Sequence, residues 1–358
     1  MSFNVYCRVK DNPIQFKKIS NNITNVSIPY KNKTFDFNLH DLFQNSTNEE
    51  IFNKIIMNKQ SSVNYWVLFG YTGTGKTYTT NGLLCELLKY YQDNIKVSAI
   101  QIYNNEIFDL LTKKKLKFYK TSVLVVKNKT ILPIQNTHDI EAFIKTLKKN
   151  RSQNKTQYNS VSSRSHAIIN VSVKNKQYII VDMAGQESGV EYKNKKIQQE
   201  GTVNNLNMLA LKECIRAHYN KEKHIPYRRT LLTFSLKSMF NLNTNTTFIC
   251  TISTTMAIYN QIDSLKYANQ LYECCCNNLS IKYDNFLKDY NKYIIDSGWY
   301  TSNDIKIWRE INKKNLKNIK VINDNINKKL TVLMHFKNLL KKYQKINPDF
   351  IDIQEIED

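Results

Sequence analysis

Apolar residues fall into short blocks of two kinds, and the two kinds alternate along the chain. Short apolar runs occupy Asn4–Val9, Asn64–Phe69 (NYWVLF), Ser98–Tyr103 (SAIQIY), Ala167–Val173 (AIINVSV), Gln177–Asp182 (QYIIVD) and Phe248–Ser253 (FICTIS). Their length and β-branched content predict strands. Longer stretches at Asn48–Lys59, Tyr78–Tyr91, Ile140–Lys149, Thr202–Tyr219 and Gln261–Tyr272 predict helices. Hydrophobic strands alternating with helices predict an α/β fold, with a central, mostly parallel or mixed sheet covered by helices on both faces. Lys113–Lys120 (KKKLKFYK) and Glu187–Gln199 (ESGVEYKNKKIQQ) read as loops.

The pattern changes after Asn277. That part is rich in Lys, Asn and Ile, has a turn near Ser297–Gly298, and reads as helical from about Asp304 to Tyr343. Ile319, Ile322, Ile326, Leu333, Phe336 and Leu340 keep a spacing of three or four, interrupted by Lys329. Packing on the main domain and self-association both suit such a face. The chain is therefore divided into a main domain, 3–276, and a short helical C-terminal tail, 277–358.

Composition narrows the class. With 358 residues and 41% hydrophobic positions the chain can bury a full core. No apolar run reaches the roughly 18 residues of a membrane span, and the opening MSFNVYCRVK lacks a secretory h-region. Seven scattered Cys fit a reducing compartment better than a disulfide scaffold. The net charge of +22 suits nucleic acid, an anionic membrane or another acidic polymer, and Lys/Asn-rich base composition alone can also produce it. Residues 1–276 carry +18 of that excess.

Candidate chemistry begins at Gly70-Tyr71-Thr72-Gly73-Thr74-Gly75-Lys76-Thr77, which fits GxxxxGK[ST] between a predicted strand and a predicted helix. Its backbone N–H groups would curl around phosphate oxygens. Lys76 would neutralise the β/γ-phosphates, and the Thr77 hydroxyl would ligate Mg²⁺. Two further stretches sit at strand ends: Asn159-Ser160-Val161-Ser162-Ser163-Arg164-Ser165-His166 and Asp182-Met183-Ala184-Gly185-Gln186-Glu187. Hydroxyls, an Arg and a carboxylate so placed are what sensing a γ-phosphate requires. Asp182 stands where a carboxylate would hold Mg²⁺ through water, and Gly185 can bring a backbone N–H against the γ-phosphate.

These stretches resemble the kinesin motor domain. NxxSSRSH is similar to kinesin switch I, DMAGQE to the switch II pattern DLAGSE, and FGYTGTGKTYT to the kinesin phosphate loop. IYNNEIFDLL (102–111), HIPYR (224–228) and SLKYA (264–268) extend the resemblance over about residues 3–276. The resemblance implies a motor-type phosphate-loop NTPase using ATP and Mg²⁺. It implies that Ser162 and Ser163 position the lytic water, the γ-phosphate and, through Ser163, the metal. It also implies that Arg164 pairs with Glu187, that Asn159 helps orient the switches, and that Arg8 and Tyr78 lie beside the adenine. The implied partner is the microtubule, and the implied location the cytoplasmic cytoskeleton, with a spindle role open. Both switch motifs speak against nucleic acid as the partner. His166 is given no catalytic role.

Departures from the family shape a second reading. The usual DSKLTRLL after HIPYR is replaced by Arg229-Thr230-Leu231-Leu232-Thr233-Phe234-Ser235-Leu236, which lacks cations that normally face tubulin. Arg228, Arg229, Lys195, Lys196 and the run Lys113–Lys120 are the candidates to compensate. RxRP becomes Arg8-Val9-Lys10-Asp11, and Asn207-Met208 replace the Ser-Leu of the long switch II helix. The first expectation is a microtubule-stimulated ATPase that moves. The alternative is a divergent tether that binds nucleotide and microtubules with little or no motility.

Overall fold

Seven residues, VNYWVLF, make a strand because aromatic and β-branched side chains fill both faces of a buried sheet position. This strand, β6 (Val63–Phe69), is central in the computed structural model. The structure describes residues 2–20, 23–57, 61–91, 94–152, 155–156, 159–160, 164–186, 195–241 and 243–274. All of these lie in the first of two units into which the chain divides, Met1–Asp284.

In chain order the elements begin with β1 (Ser2–Lys10), β2 (Phe16–Ser20), β3 (Ile23–Tyr30), β4 (Lys33–Leu39), β5 (Asp41–Gln44) and α1 (Asn48–Ile56). After β6 come α2 (Lys76–Tyr91), β7 (Ile95–Tyr103), β8 (Glu106–Asp109), β9 (Lys115–Leu116), β10 (Phe118–Lys120), β11 (Leu124–Val126) and β12 (Leu132–Ile134). There follow α3 (Thr137–Ser152), β13 (Lys155–Thr156), β14 (Asn159–Ser160), β15 (His166–Val173), β16 (Lys176–Asp182) and α4 (Lys195–Tyr219). A five-residue helix α5 (Leu231–Ser235), β17 (Thr244–Ser253) and a last helix α6 (258–274) complete the described chain.

The main sheet runs β5-β1-β17-β6-β16-β15-β7-β8-β9, with β12 also paired to β7. From β5 to β16 neighbouring strands are parallel; β15 is antiparallel to both β16 and β7. The sheet is thus mixed, with a parallel centre. Two apolar layers follow from the period-2 alternation of side chains. Val5, Val67 and Phe69 face a layer with Met208 and Leu211 of α4, Leu232 of α5 and Leu265 of α6. Tyr6, Trp66 and Leu68 face the opposite layer, with Phe52 of α1, Leu83 and Leu87 of α2 and Phe143 of α3. Fully burying one such side chain contributes about 1.5–3 kcal/mol. The helices therefore cover both faces of one sheet and leave the C-terminal ends of β1, β6, β16 and β17 converging on one edge.

The structure corrects the sequence reading at several places. Lys113–Lys120 is not simply a loop, because β9 and β10 lie within it and β10 pairs with β11. The second expected loop is helical at its end: α4 starts at Lys195, seven residues before Thr202. Residues 16–39 form a separate sheet, β2-β3-β4, that periodicity had not marked. The helix expected at Tyr78 begins at Lys76. Among the described residues five Cys are free, and no helix is long and apolar enough to cross a membrane. The expected tail, 277–358, and Cys275–Cys276 lie outside the described residues.

Candidate active site

The loop between β6 and α2 is built by glycines that no other residue replaces without strain. Gly70, Gly73 and Gly75 all have positive φ, at 139°, 84° and 98°. At Gly70 a Cβ would lie 2.2 Å from the carbonyl oxygen of Thr251, so the loop passes against β17 with no room for a side chain. Thr74 closes the turn: its hydroxyl donates to the Tyr71 carbonyl at 2.7 Å and lies 2.7 Å from the Thr251 hydroxyl. Lys76 opens α2 and is only 7% exposed. Its ammonium donates to the carbonyls of Gly70 at 2.8 Å and Tyr71 at 2.6 Å, which offsets the cost of burying a charge.

Parallel pairing brings the second carboxylate-bearing strand end beside this loop. β16 pairs with β6 so that Asp182 faces Leu68. The ladder continues past the strands, with Met183 N donating to Leu68 O at 3.0 Å and Gln186 N to Gly70 O at 3.2 Å. Thr77, the second residue of α2, donates its hydroxyl to Asp182 Oδ2 at 2.7 Å. The same oxygen receives Arg151 Nη1 from the end of α3, in a pair with both side chains buried. Asp182 Oδ1 is a buried oxygen without a hydrogen-bond partner among the described residues. Arg151 was not anticipated from the motifs. It precedes switch I in sequence, and nothing local marks it as a partner of a carboxylate 31 positions away.

These oxygens fit a hard divalent cation. Mg²⁺ takes oxygen ligands and is usually held by one or two protein side chains together with substrate phosphates. A Thr hydroxyl and a carboxylate with one oxygen still unpartnered meet that requirement. Among the described residues no group of three or more His, Cys, Asp or Glu side chains is arranged to hold a metal.

On the far side of the loop, Arg8 from β1 meets Tyr78 from α2, with the guanidinium 5.2 Å from the ring centroid. Three contacts fix that guanidinium: Asn48 Oδ1 at 2.5 Å, Thr79 Oγ1 at 2.8 Å and Ser46 O at 3.0 Å. Asn48 reaches it because residue 82 is glycine; a Cβ there would stand 2.1 Å from Asn48 Nδ2. Burial draws Arg8 below its usual pKa, opposed by the neighbouring Tyr78 phenol. Tyr78 itself is 67% exposed, with its ring open to a stacking partner. Lys10 extends its ammonium to 3.5 Å from Gly73 O.

His166, the first residue of β15, ties the site to α4. Its Nδ1 accepts from Ala184 N at 3.1 Å, and its Nε2 lies 3.0 Å from Asn207 Nδ2 on α4. The ring is buried, and desolvation lowers its pKa to about 4, Arg151 adding to the effect and Asp182 opposing it. His166 thus joins the backbone after Asp182 to α4, the longest helix among the described residues.

Of the other expected site residues, Gly185 lies buried between Ala184 and Gln186, and Arg164 is half-buried ahead of β15. Asn159 begins the two-residue strand β14, paired with β13. Ser162, Ser163 and Glu187 lie outside the described residues. Two of the cations offered as compensating candidates, Arg228 and Arg229, are engaged within the chain. Arg229 pairs with Glu213 of α4. Arg228 lies 5.2 Å from the Phe234 ring centroid and donates to Thr121 O at 3.1 Å, and Lys237 donates to Ser122 O at 2.9 Å.

A glycine-built phosphate cradle, a buried Lys at the head of the following helix and a Thr–Asp pair at adjoining parallel strand ends define a phosphate-loop nucleotide-binding protein. Residues 4–274 match the kinesin motor domain, and the chain belongs to that family. It is 33% identical over 229 residues to diatom spindle kinesin-1 of Cylindrotheca fusiformis, covering 57% of this chain and 36% of that protein. It is 30% identical over 244 residues to the kinesin-like protein KIF24 of Mus musculus, covering 58% of this chain and 18% of that one. The chain therefore spans well under two thirds of these relatives. Among solved structures, the motor domain of the Saccharomyces cerevisiae kinesin-like protein KAR3 superposes with a TM-score of 0.64 at 22% identity, over 76% of this chain and all of that one. This last likeness concerns the fold alone.

Proposed function

We propose that the chain is a Mg²⁺-dependent ATP hydrolase of the kinesin type that couples the state of its nucleotide to its grip on microtubules. The observation that carries this reading is the chain of contacts from Thr77 through Asp182 to the backbone at Ala184, and on through His166 to Asn207 of α4. Lys76 and the loop amides would hold the β- and γ-phosphates, while Arg8 and Tyr78 would take the adenine. Thr77, Ser163 and Asp182 would hold Mg²⁺, which when bound neutralises charge developing on the β/γ oxygens. Ser162, Ser163 and Gly185 would place water and γ-phosphate in line, with Arg164 and Glu187 closing the two switches. A change at Gly185 would then reach α4 through the short path at Ala184 and His166. The motor domain would comprise 3–276, with 277–358 as a tail able to self-associate. The place of action would be the microtubule cytoskeleton, the spindle included.

A second reading, a microtubule tether with little motility, is favoured by one observation: Arg228 and Arg229 are committed to contacts inside the chain. One experiment separates the two. ATPase is measured with and without microtubules, alongside co-pelleting in ATP and in a non-hydrolysable analogue. Stimulated turnover supports the motor, and binding with flat turnover the tether. Absence of both, with DNA-stimulated hydrolysis, removes the microtubule reading.

A further inference from the structure

Gln186 is the residue in this site whose chemistry the kinesin resemblance does not supply. The switch II pattern has a serine there, and this chain has an amide. The side chain is 9% exposed, and its Oε1 is buried with no hydrogen-bond partner among the described residues. A buried amide oxygen left unpartnered costs about 1–3 kcal/mol, so its retention calls for a use.

Its position suggests that use. Gln186 N donates to Gly70 O, the same carbonyl that receives the Lys76 ammonium, so the residue is pinned to the wall of the phosphate loop. It directly follows Gly185 and stands four positions after Asp182. An amide has an acceptor oxygen and a donor nitrogen on one carbon. It can therefore accept from a water while donating to a phosphate oxygen, which is how a glutamine orients the attacking water in phosphate-loop GTP hydrolases. A serine hydroxyl is shorter by two bonds and has a single rotor for both tasks.

We propose that Gln186 is a catalytic residue of this ATPase, its Oε1 accepting a hydrogen bond from the water that attacks the γ-phosphorus while its Nε2 donates to a γ-phosphate oxygen. This rests on the ATP-hydrolysing reading. In the step itself the water oxygen forms the new bond to phosphorus as the bond to the bridging oxygen of ADP breaks. The water proton leaves with the inorganic phosphate, and Gln186 orients the water without being consumed or protonated.

The full chain is tested as Gln186→Ala, Gln186→Glu and Gln186→Ser. Readouts are fluorescent ADP affinity, single-turnover hydrolysis of bound ATP, and the affinity of the ADP-bound protein for aluminium fluoride, a mimic of the transferring phosphoryl group. The expected result for Gln186→Ala is unchanged ADP affinity with hydrolysis slowed about 100-fold, the scale of losing one transition-state hydrogen bond, and aluminium fluoride capture weakened similarly. Gln186→Glu, which keeps the shape but not the amide donor, is expected to follow Gln186→Ala, with Gln186→Ser falling between. Unchanged hydrolysis and capture in Gln186→Ala overturn the proposal while leaving the ATPase reading intact. An equal loss of ADP affinity also overturns it, since that marks a packing role. A wild-type chain that binds ADP but hydrolyses no ATP overturns the ATPase reading and this proposal with it.

Discussion

Arg151 and Asp182 form a buried ion pair beside the phosphate loop, from the end of α3 to the end of β16. The Thr77 hydroxyl donates to the same carboxylate oxygen. Removing one partner of such a pair leaves an uncompensated buried charge, at a cost of about 3–5 kcal/mol. Arg151→Ala is therefore expected to lower unfolding free energy by that order in urea titrations. Arg151→Lys should lose less, since it keeps the charge but not the planar fork. A loss under about 1 kcal/mol for Arg151→Ala, the worth of an exposed pair, would contradict the burial argument.

Lys76→Ala removes the only side-chain cation at the head of α2. Each hydrogen bond from a charged donor contributes about 1.5–3 kcal/mol, or about 10- to 150-fold in affinity. Fluorescent ADP and ATP analogues should both bind at least about tenfold more weakly, the ATP analogue more so. Wild-type affinity in this variant would remove the phosphate-loop assignment.

The glycines rank themselves by what a methyl group would meet. Gly70→Ala drives a Cβ into the Thr251 carbonyl at positive φ, and a loss of about 1–3 kcal/mol or more is expected. At Gly82 the atoms nearest an added Cβ all belong to the Asn48 side chain. The cost of Gly82→Ala should appear as weakened nucleotide affinity through a displaced Arg8, with a smaller stability change. Thermal melts and nucleotide titrations of both variants separate the two effects. Equal stability losses with unchanged affinity would deny Asn48 its hold on Arg8.

His166 sets a pH dependence of definite sign. Its folded pKa of about 4 lies below the unfolded value, so the ring is neutral in both states at high pH. As pH falls below about 6.5, the unfolded chain takes a proton that the folded chain refuses. Stability should fall by about 1.4 kcal/mol per pH unit, reaching about 3 kcal/mol near pH 4. His40, also lowered to about 4 by burial, adds a second proton over the same window. His166→Gln should remove one proton's worth of slope between about pH 6.5 and 4 in urea titrations at stepped pH. An unaltered slope would place His166 outside the linkage.

Glu213 pairs with Arg229, one of the cations that the proposed microtubule reading would use. Glu213→Ala frees Arg229 and should tighten microtubule co-pelleting at low ionic strength, an effect screened by salt. Charge reversal across Lys113–Lys120 should weaken it. Indifference to both would move the track-binding surface elsewhere.

Much of this was legible because its causes are local. The alternation of β6, the glycines of its loop and the helix that follows lie within one short window. So do the hydroxyls ahead of β15 and the carboxylate ending β16. The small sheet of 16–39 was less legible: its strands are half-polar, Lys- and Asn-rich, and only one face, with Val26, Ile28, Phe37 and Leu39, packs into the core. β9 and β10 were hidden the same way within a basic run. The helical start at Lys195 carries no apolar periodicity to announce it.

The sequence by itself determined the class of fold, the phosphate cradle and the kinesin resemblance, since periodicity and motif spacing need no distant partner. Only the tertiary structure decided that Arg151 covers Asp182, that His166 joins Ala184 to Asn207, and that Arg228 and Arg229 are held at the surface by Thr121 and Glu213. Each of those contacts depends on which strands pair and which helix packs across them. Hydrogen bonds and ion pairs between residues tens of positions apart exist only once the sheet has brought its strand ends to one edge.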